Sequence, residues 1–376
     1  MKRALSLALL AALALAPARA EPENQVILRI VASPARASDG CFAVLRSGRV
    51  IFYFTQFQSG VEDYSPAQVD EIHSDDGGDT WSRPRVVVPN TAGQNVSSAS
   101  LLRLADGRLA FFYERKNSTL DLHPLMCVSA DEGATWSEPR PLFQAPGYFV
   151  LNNDRVIQTR RGRLIAPVAY HRTLRPRPGG YEAIDLRGIV IWYLSDDCGL
   201  TWREADTWWG LPVAGRDGLQ EPGAVELADG SLFSWARTDV GAQYGFRSVD
   251  GGATWSAPEP TRLATPCSPA AIKRLPGSAD LLAVYNDHSG RFPYPHDTGT
   301  YQGRSPLVAA ISADGGRTWP APRAIETDLA TNFCYPSFLV VGDHVLLAYL
   351  AAGSGSTHSF ELRLRRIGLS WFPPPR

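Results

Sequence analysis

Apolar residues in this 376-residue chain come in short runs broken by Gly-containing turns. The clearest unit is an apolar stretch, a tight turn and a second apolar stretch. It begins as Val44-Leu45-Arg46-Ser47-Gly48-Arg49-Val50-Ile51 and returns at 102–109, 161–165, 226–232, 277–284 and 340–346. Each copy predicts two antiparallel strands around a turn. Pro and Gly interrupt nearly every window long enough for a helix, so helices are not expected.

A second pattern interleaves with the first. The octet Ser-x-Asp-x-Gly-x-Thr-Trp starts at Ser74, Ser129, Ser195, Ser248 and Ser312, at intervals of 55, 66, 53 and 64 residues. Its physics is that of a β-turn that fastens itself. The Ser and Asp side chains accept bonds from the turn's own N–H groups, Gly supplies a positive φ, and Trp packs beneath the hairpin. Such a motif is structural and carries no chemistry.

Six hairpins against five fastened turns predict an all-β chain: a six-bladed β-propeller with four-stranded antiparallel blades. The last hairpin has no fastened turn after it, so a strand near Val26–Ile30 is expected to complete its blade. That makes one propeller domain over 21–376. Seven blades with one degenerate copy is the alternative.

Met1-Lys2-Arg3, an apolar run over 4–17 and Ala18-Arg19-Ala20 have the three-part form of a secretory signal peptide over 1–20. The run is shorter than the ~20 residues of a spanning helix. Cleavage near Ala20 and a secreted or periplasmic location are expected, with no membrane insertion. Charge barely departs from zero, with 37 Lys+Arg against 38 Asp+Glu, so nucleic acid is not an expected partner. The five Cys make no C-x-x-C and the seven His no H-x-x-x-H. Most of the Cys are read as small buried hydrophobes, and neither a metal nor a cofactor is expected.

Certain segments at corresponding places in different hairpins resemble the exo-sialidases (neuraminidases), propellers that carry the same Asp-box repeat. They are Gly303-Arg304-Ser305-Pro306 before the last Asp box, Gln220-Glu221-Pro222-Gly223 running to Trp235-Ala236-Arg237, Asn332-Phe333-Cys334-Tyr335, and Leu28-Arg29-Ile30. The resemblance implies that Arg29, Arg237 and Arg304 hold the substrate carboxylate and that Tyr335 is the nucleophile. It also implies that Glu221 activates Tyr335 and that Asp63, 11 residues before Ser74, is the acid/base. Glu62 and Asp70 compete with Asp63 for that last role. Arg29 also reads as a surface strand residue, and Tyr335 as a core aromatic.

The chemistry is coherent on its own terms. Arg forks match a carboxylate, and clustered guanidinium groups need an anion between them. A sugar carboxylate would repel a carboxylate nucleophile but not a neutral phenol. The phenol, with its pKa of ~10, needs a base to react. Sialidases accordingly depart from the two-carboxylate glycosidase scheme. Polar clusters at 115–117, 152–155 and 286–288, and His171, are candidate sugar contacts, Asn153 and Asp154 foremost. The implied activity is release of terminal α-linked sialic acid from a sialylated glycan by a retaining mechanism. The alternatives are another terminal sugar on the same scaffold, or a non-catalytic binding propeller.

Overall fold

The computed structural model describes residues 23–31, 35–174, 183–296, 303–353 and 360–373. The expected signal peptide lies outside the described residues. Among them there is no α-helix, and no helix is long and apolar enough to cross a membrane.

The chain opens with strand β1 (Asn24–Val31) and then lays down antiparallel strands in groups of four. The first group is β2 (Ala37–Val44), β3 (Val50–Phe57), β4 (Ala67–Ser74) and β5 (Arg85–Val88). The second is β6 (Asn95–Arg103), β7 (Leu109–Ser118), β8 (Asp121–Ser129) and β9 (Arg140–Pro141). After a short β10 (Tyr148–Val150) comes a third group, β11 (Ile157–Gln158), β12 (Leu164–His171), β13 (Ile189–Ser195) and β14 (Arg203–Trp209). The fourth is β15 (Gln220–Glu226), β16 (Leu232–Arg237), β17 (Ala242–Ser248) and β18 (Glu259–Ala264). The fifth is β19 (Ala271–Arg274), β20 (Leu281–Asn286), β21 (Leu307–Ser312) and β22 (Arg323–Glu326). The last sheet has the order β1-β25-β24-β23, with β23 (Thr331–Val341), β24 (His344–Gly353) and β25 (Phe360–Gly368).

The strand expected near Val26–Ile30 is therefore β1, the outer strand of the last sheet, paired with β25. One detail differs from a set of separate four-stranded sheets. β10 pairs with β8 on one side and β12 on the other, which joins the second and third groups into one nine-stranded sheet.

Strands near the start of each group are buried on both faces, and last strands are exposed: β16 and β20 are buried throughout, whereas β5 is not. That gradient explains why the inner strands read as continuous apolar runs rather than alternating ones. Six apolar clusters occupy the seams between consecutive groups. Ile51 and Tyr53 meet Leu109 and Phe111, and Phe233 and Trp235 meet Leu281 and Tyr285. The seam between the last sheet and the first joins Leu346 and Leu364 to Phe42 and Phe52.

The fastened turns sit between the third and fourth strands of five groups. In the first, Gly78 N–H donates to Ser74 Oγ (2.8 Å), Thr80 N–H and Oγ1 donate to the Asp76 carboxylate (2.9 and 2.6 Å), and Trp81 Nε1 donates to Gly78 O (3.0 Å). The Trp does more than cover its own hairpin. Trp255 stacks on Trp192 of the preceding group at 4.5 Å, and Trp136 meets Tyr53 edge-on. Gly78 has φ +106, and a Cβ there would lie 2.6 Å from a Leu346 methyl in the last sheet. The motif thus fastens a turn and one seam together.

Candidate active site

In an antiparallel group the start of the first strand and the end of the second share one face, opposite the Asp-box turns. At that face the sheets surround a cavity of about 1020 Å³. Its wall includes Arg36, Asp39, Asp63, Glu114, Lys116, Asn152, His171, Gln220, Glu221, Arg237, Arg304, Cys334 and Tyr335.

A local irregularity aims several of these side chains. The first strands β2, β6, β15 and β23 each break register, between Ser38/Cys41, Ser97/Ser100, Gln220/Gly223 and Cys334/Ser337. In each, one residue other than Gly takes a left-handed conformation: Asp39 (φ 54), Ser98 (φ 59), Glu221 (φ 48) and Tyr335 (φ 53). A fifth, Asp154 (φ 60), precedes β11. A regular strand sends consecutive side chains to opposite faces, whereas a bulge re-aims one of them. So Ser97 and Ser98, Gln220 and Glu221, and Cys334 and Tyr335 face the cavity as pairs.

Arg237, at the end of β16, is clamped by the β15 bulge. Its Nη2 donates to Gln220 Oε1 (2.6 Å), and its Nη1 lies 3.0 Å from Glu221 Oε2. Arg304 is set by its backbone. Its N–H donates to Asn332 Oδ1 (2.9 Å), and its carbonyl accepts from Asn286 Nδ2 and Phe333 N–H, both at 2.8 Å. The Arg304 guanidinium reaches Cys267 O (3.2 Å) and lies over the Tyr335 ring at 5.7 Å. Arg36 pairs with Asp63 at 2.8 Å and donates to Val61 O. All three arginines are buried.

Burial, with the Glu221 charge second, pushes the Tyr335 phenol well above its ordinary range, although Arg237 and Arg304 pull the other way. The phenol is neutral in the free protein. Burial likewise pushes Glu114 up to about 8 despite Lys116 beside it, so this carboxyl carries its proton at neutral pH. Asp63 stands at the rim, its side chain 45% exposed. Its carbonyl is tethered by Asn95 Nδ2 (2.9 Å) and Lys116 Nζ (2.8 Å), and its carboxylate by Arg36 (2.8 Å).

Of the residues singled out from the sequence, Asp63, Glu221, Arg237, Arg304 and Tyr335 come together here. Three do not. Arg29 lies on β1, 49% exposed and paired with Glu361 at 2.8 Å. The outer strand of the last sheet is the part of that sheet farthest from the cavity, so one strand cannot both complete the sheet and supply the mouth. Arg36, at the start of β2, stands in the wall instead. Asn153 donates to Gly40 O (2.8 Å), and Asp154 pairs with Lys273 (2.7 Å), so both bind the sheets to each other. Their neighbour Asn152 lines the cavity. Glu62 also lines it, whereas Asp70 lies within β4 and bonds Gln68. Asn286 holds the backbone of Arg304, and His171 reaches the wall with Nδ1 at 2.9 Å from Asp185 O. All five Cys are unpaired thiols, four of them buried.

Arg36, Asp39 and Glu114 escaped the sequence reading, yet a signal existed for Asp39. It stands nine residues before the hairpin glycine Gly48, as Ser98 stands before Gly107 and Glu221 before Gly230.

Three solved structures share the fold. A protein of unknown function from Dyadobacter fermentans matches with a TM-score of 0.65 at 18% identity, covering 92% of this chain and 100% of its own. The intramolecular trans-sialidase from Ruminococcus gnavus, solved with oseltamivir carboxylate, gives 0.68 at 16% identity, over 89% of this chain and 95% of that one. The NanB sialidase from Streptococcus pneumoniae gives 0.69 at 14%, over 94% and 71%. At these identities the likeness is one of fold. No curated protein sequence matches the chain. Residues 52–348, which hold all five Asp boxes and most of the cavity wall, match the BNR repeat-like domain, and the chain belongs to that family.

Proposed function

We propose that the protein is a retaining exo-glycosidase that removes terminal α-linked sialic acid, working in the cavity described above. The observation that carries this reading is the convergence of three buried arginines, Arg36, Arg237 and Arg304, on one cavity with Tyr335 and Glu221. Three guanidinium groups in a buried wall call for an anion, and a carboxylate on the anomeric carbon fits their forks.

Tyr335 attacks the anomeric carbon while Glu221 takes the phenol proton, and Asp63 protonates the departing glycosidic oxygen. Water then attacks the anomeric carbon and gives its proton to Asp63 while Glu221 returns its proton to the departing Tyr335 oxygen, which restores the phenol and the original anomeric configuration. The substrate carboxylate also competes with Asp63 for Arg36. Binding thereby releases the Asp63 carboxylate to carry protons.

The same reading takes residues 1–20 as an export leader and 21–376 as one six-bladed propeller. Its support is the six apolar seams, one of them between the last sheet and the first, and the bond between His344 Nε2 and Gly77 O (2.9 Å) across that seam. The test is release of a fluorescent phenol from an α-sialoside. Wild type turns it over, and Tyr335→Phe loses on the order of 10³-fold or more in kcat with an unchanged melting temperature. Full activity in Tyr335→Phe removes the nucleophile assignment. A folded wild type that is silent on sialosides removes the substrate assignment.

A further inference from the structure

Five left-handed residues ring the inner strands, and the proposed reaction employs two of them, Glu221 and Tyr335. Asp154 is neutralised by Lys273. Asp39 differs from these. It is buried to 7% exposure in the cavity wall, and its Oδ1 accepts no hydrogen bond. Its Oδ2 lies 3.9 Å from Arg36 Nη2, beyond hydrogen-bond reach. A buried carboxylate oxygen in that state is costly, and left-handed backbone at a residue other than Gly adds strain. Both costs gather at functional sites, where a ligand meets the group in the working state.

The surroundings select the kind of donor. Arg36, Arg237, Arg304 and Lys116 already face the cavity, which disfavours a cationic group or a metal ion at Asp39. A neutral hydroxyl suits it. Beside Asp39, on the β6–β7 side, lie Ser98 and Glu114, and the Asp39 charge contributes to the upward shift of Glu114. Around Asp39 the wall thus sets Arg36 and Lys116 beside the polar Ser98 and the protonated Glu114.

We propose that Asp39 is a specificity-determining residue whose Oδ1 accepts a hydrogen bond from one hydroxyl of the anionic sugar, next to the carboxylate that Arg36 holds. The proposal rests on the sialidase reading for the sugar class. It adds that the site reads a hydroxyl as well as a negative charge. A sugar lacking that hydroxyl leaves a buried carboxylate unpaired, the arrangement that discriminates most strongly against an analogue.

The test uses Asp39→Gly, which accepts φ 54 without strain, and Asp39→Asn, which keeps the shape without the charge. Turnover is measured on a parent α-sialoside and on analogues each lacking one hydroxyl, on the ring or on the exocyclic chain. Asp39→Gly is expected to lose about 10- to 100-fold in kcat/KM on the parent, mainly through KM, with Asn between it and wild type. For one analogue wild type and Asp39→Gly become equal, because the partner of Asp39 is already gone. A merely structural role would not couple to a single hydroxyl. If the variant loses the same factor on every analogue, or loses nothing on the parent, Asp39 does not touch the sugar and the proposal falls. Wild type inactive on all the sialosides would overturn the substrate reading and this proposal together, an outcome distinct from uniform losses in an active enzyme. Melting temperatures of both variants at or above that of wild type exclude misfolding as the cause of lost turnover.

Discussion

At the Asp-box face the motif aspartate finds donors within its own turn, whereas at the cavity face carboxylates and guanidinium groups are buried among one another across different sheets. Asp131 shows the first arrangement: Ser129, Thr135 Oγ1 and Thr135 N–H hold its pKa down to about 2 in an exposed loop. Glu114 shows the second, pushed up to about 8 by burial. At the first face the left-handed position before the second turn glycine is Gly in three of the five boxes, at 77, 251 and 315. The second face violates several local preferences, with left-handed Glu and Tyr and an unpaired Asp oxygen. Left-handed residues other than Gly also occur in two Asp-box turns, at Glu132 and Cys198, but only at the cavity face do they accompany a register break in an inner strand.

The comparison breaks most sharply if substitutions at the cavity cost stability rather than turnover. Arg36→Ala is expected to lower kcat/KM on an α-sialoside by roughly 10²- to 10³-fold, the cost of removing one charge-stabilising donor set. Far-ultraviolet circular dichroism should stay that of wild type. On the opposite face the effect reverses. Trp255→Ala, which removes an indole 3% exposed and stacked on Trp192, should cost about 3–5 kcal/mol in urea unfolding while leaving KM unchanged.

The two faces also respond to pH with opposite sign. The folded-state pKa of Asp131 is depressed, so its contribution is present above the ordinary value of 3.8 and is lost as pH falls toward about 2. That of Glu114 is raised, so its contribution is full below the ordinary 4.5 and is lost as pH rises through about 8. Gln at position 114 has no proton to lose and can still accept the Leu151 N–H bond, 2.6 Å in the wild type. The melting temperature of Glu114→Gln relative to wild type should therefore climb steadily between pH 4.5 and 8, and a flat difference would contradict the buried, protonated carboxyl.

The smallest effect separates two arginines close in sequence. Arg29→Ala, on an exposed ion pair, should leave kcat/KM unchanged and shift stability by no more than about 1 kcal/mol. A large loss of activity there would return Arg29 to the site.

The hairpins and Asp boxes were legible because their rules are local: Gly48, Asp76 and Trp81 each act within a few residues of themselves. Tyr335, Glu221, Arg237 and Arg304 were legible through resemblance, not periodicity. Arg36 was not. It precedes the Ser38/Cys41 bulge with no apolar run before it, and Arg29, inside a strand-like segment, was the more conspicuous candidate. Asn153 and Asp154 misled for a related reason. In the run 152–155 the left-handed turn at Asp154 decides which side chain faces the cavity, and a string of polar letters does not show that turn.

The pairing of β1 with β25 sets a demand on folding. Arg29 lies opposite Arg363, so the first strand made is joined by one of the last. Closing so long a loop costs entropy before any contact repays it, and mean sequence separation slows folding further. Until β25 is available, β1 is an unpaired edge, and the Phe42–Leu346 seam lacks one side. The groups in between can form from local hairpins, one after another. Completion of the last sheet is then the slow and aggregation-exposed step, and a chain shortened before Phe360 would keep most of its hairpins while losing the partner of its first strand.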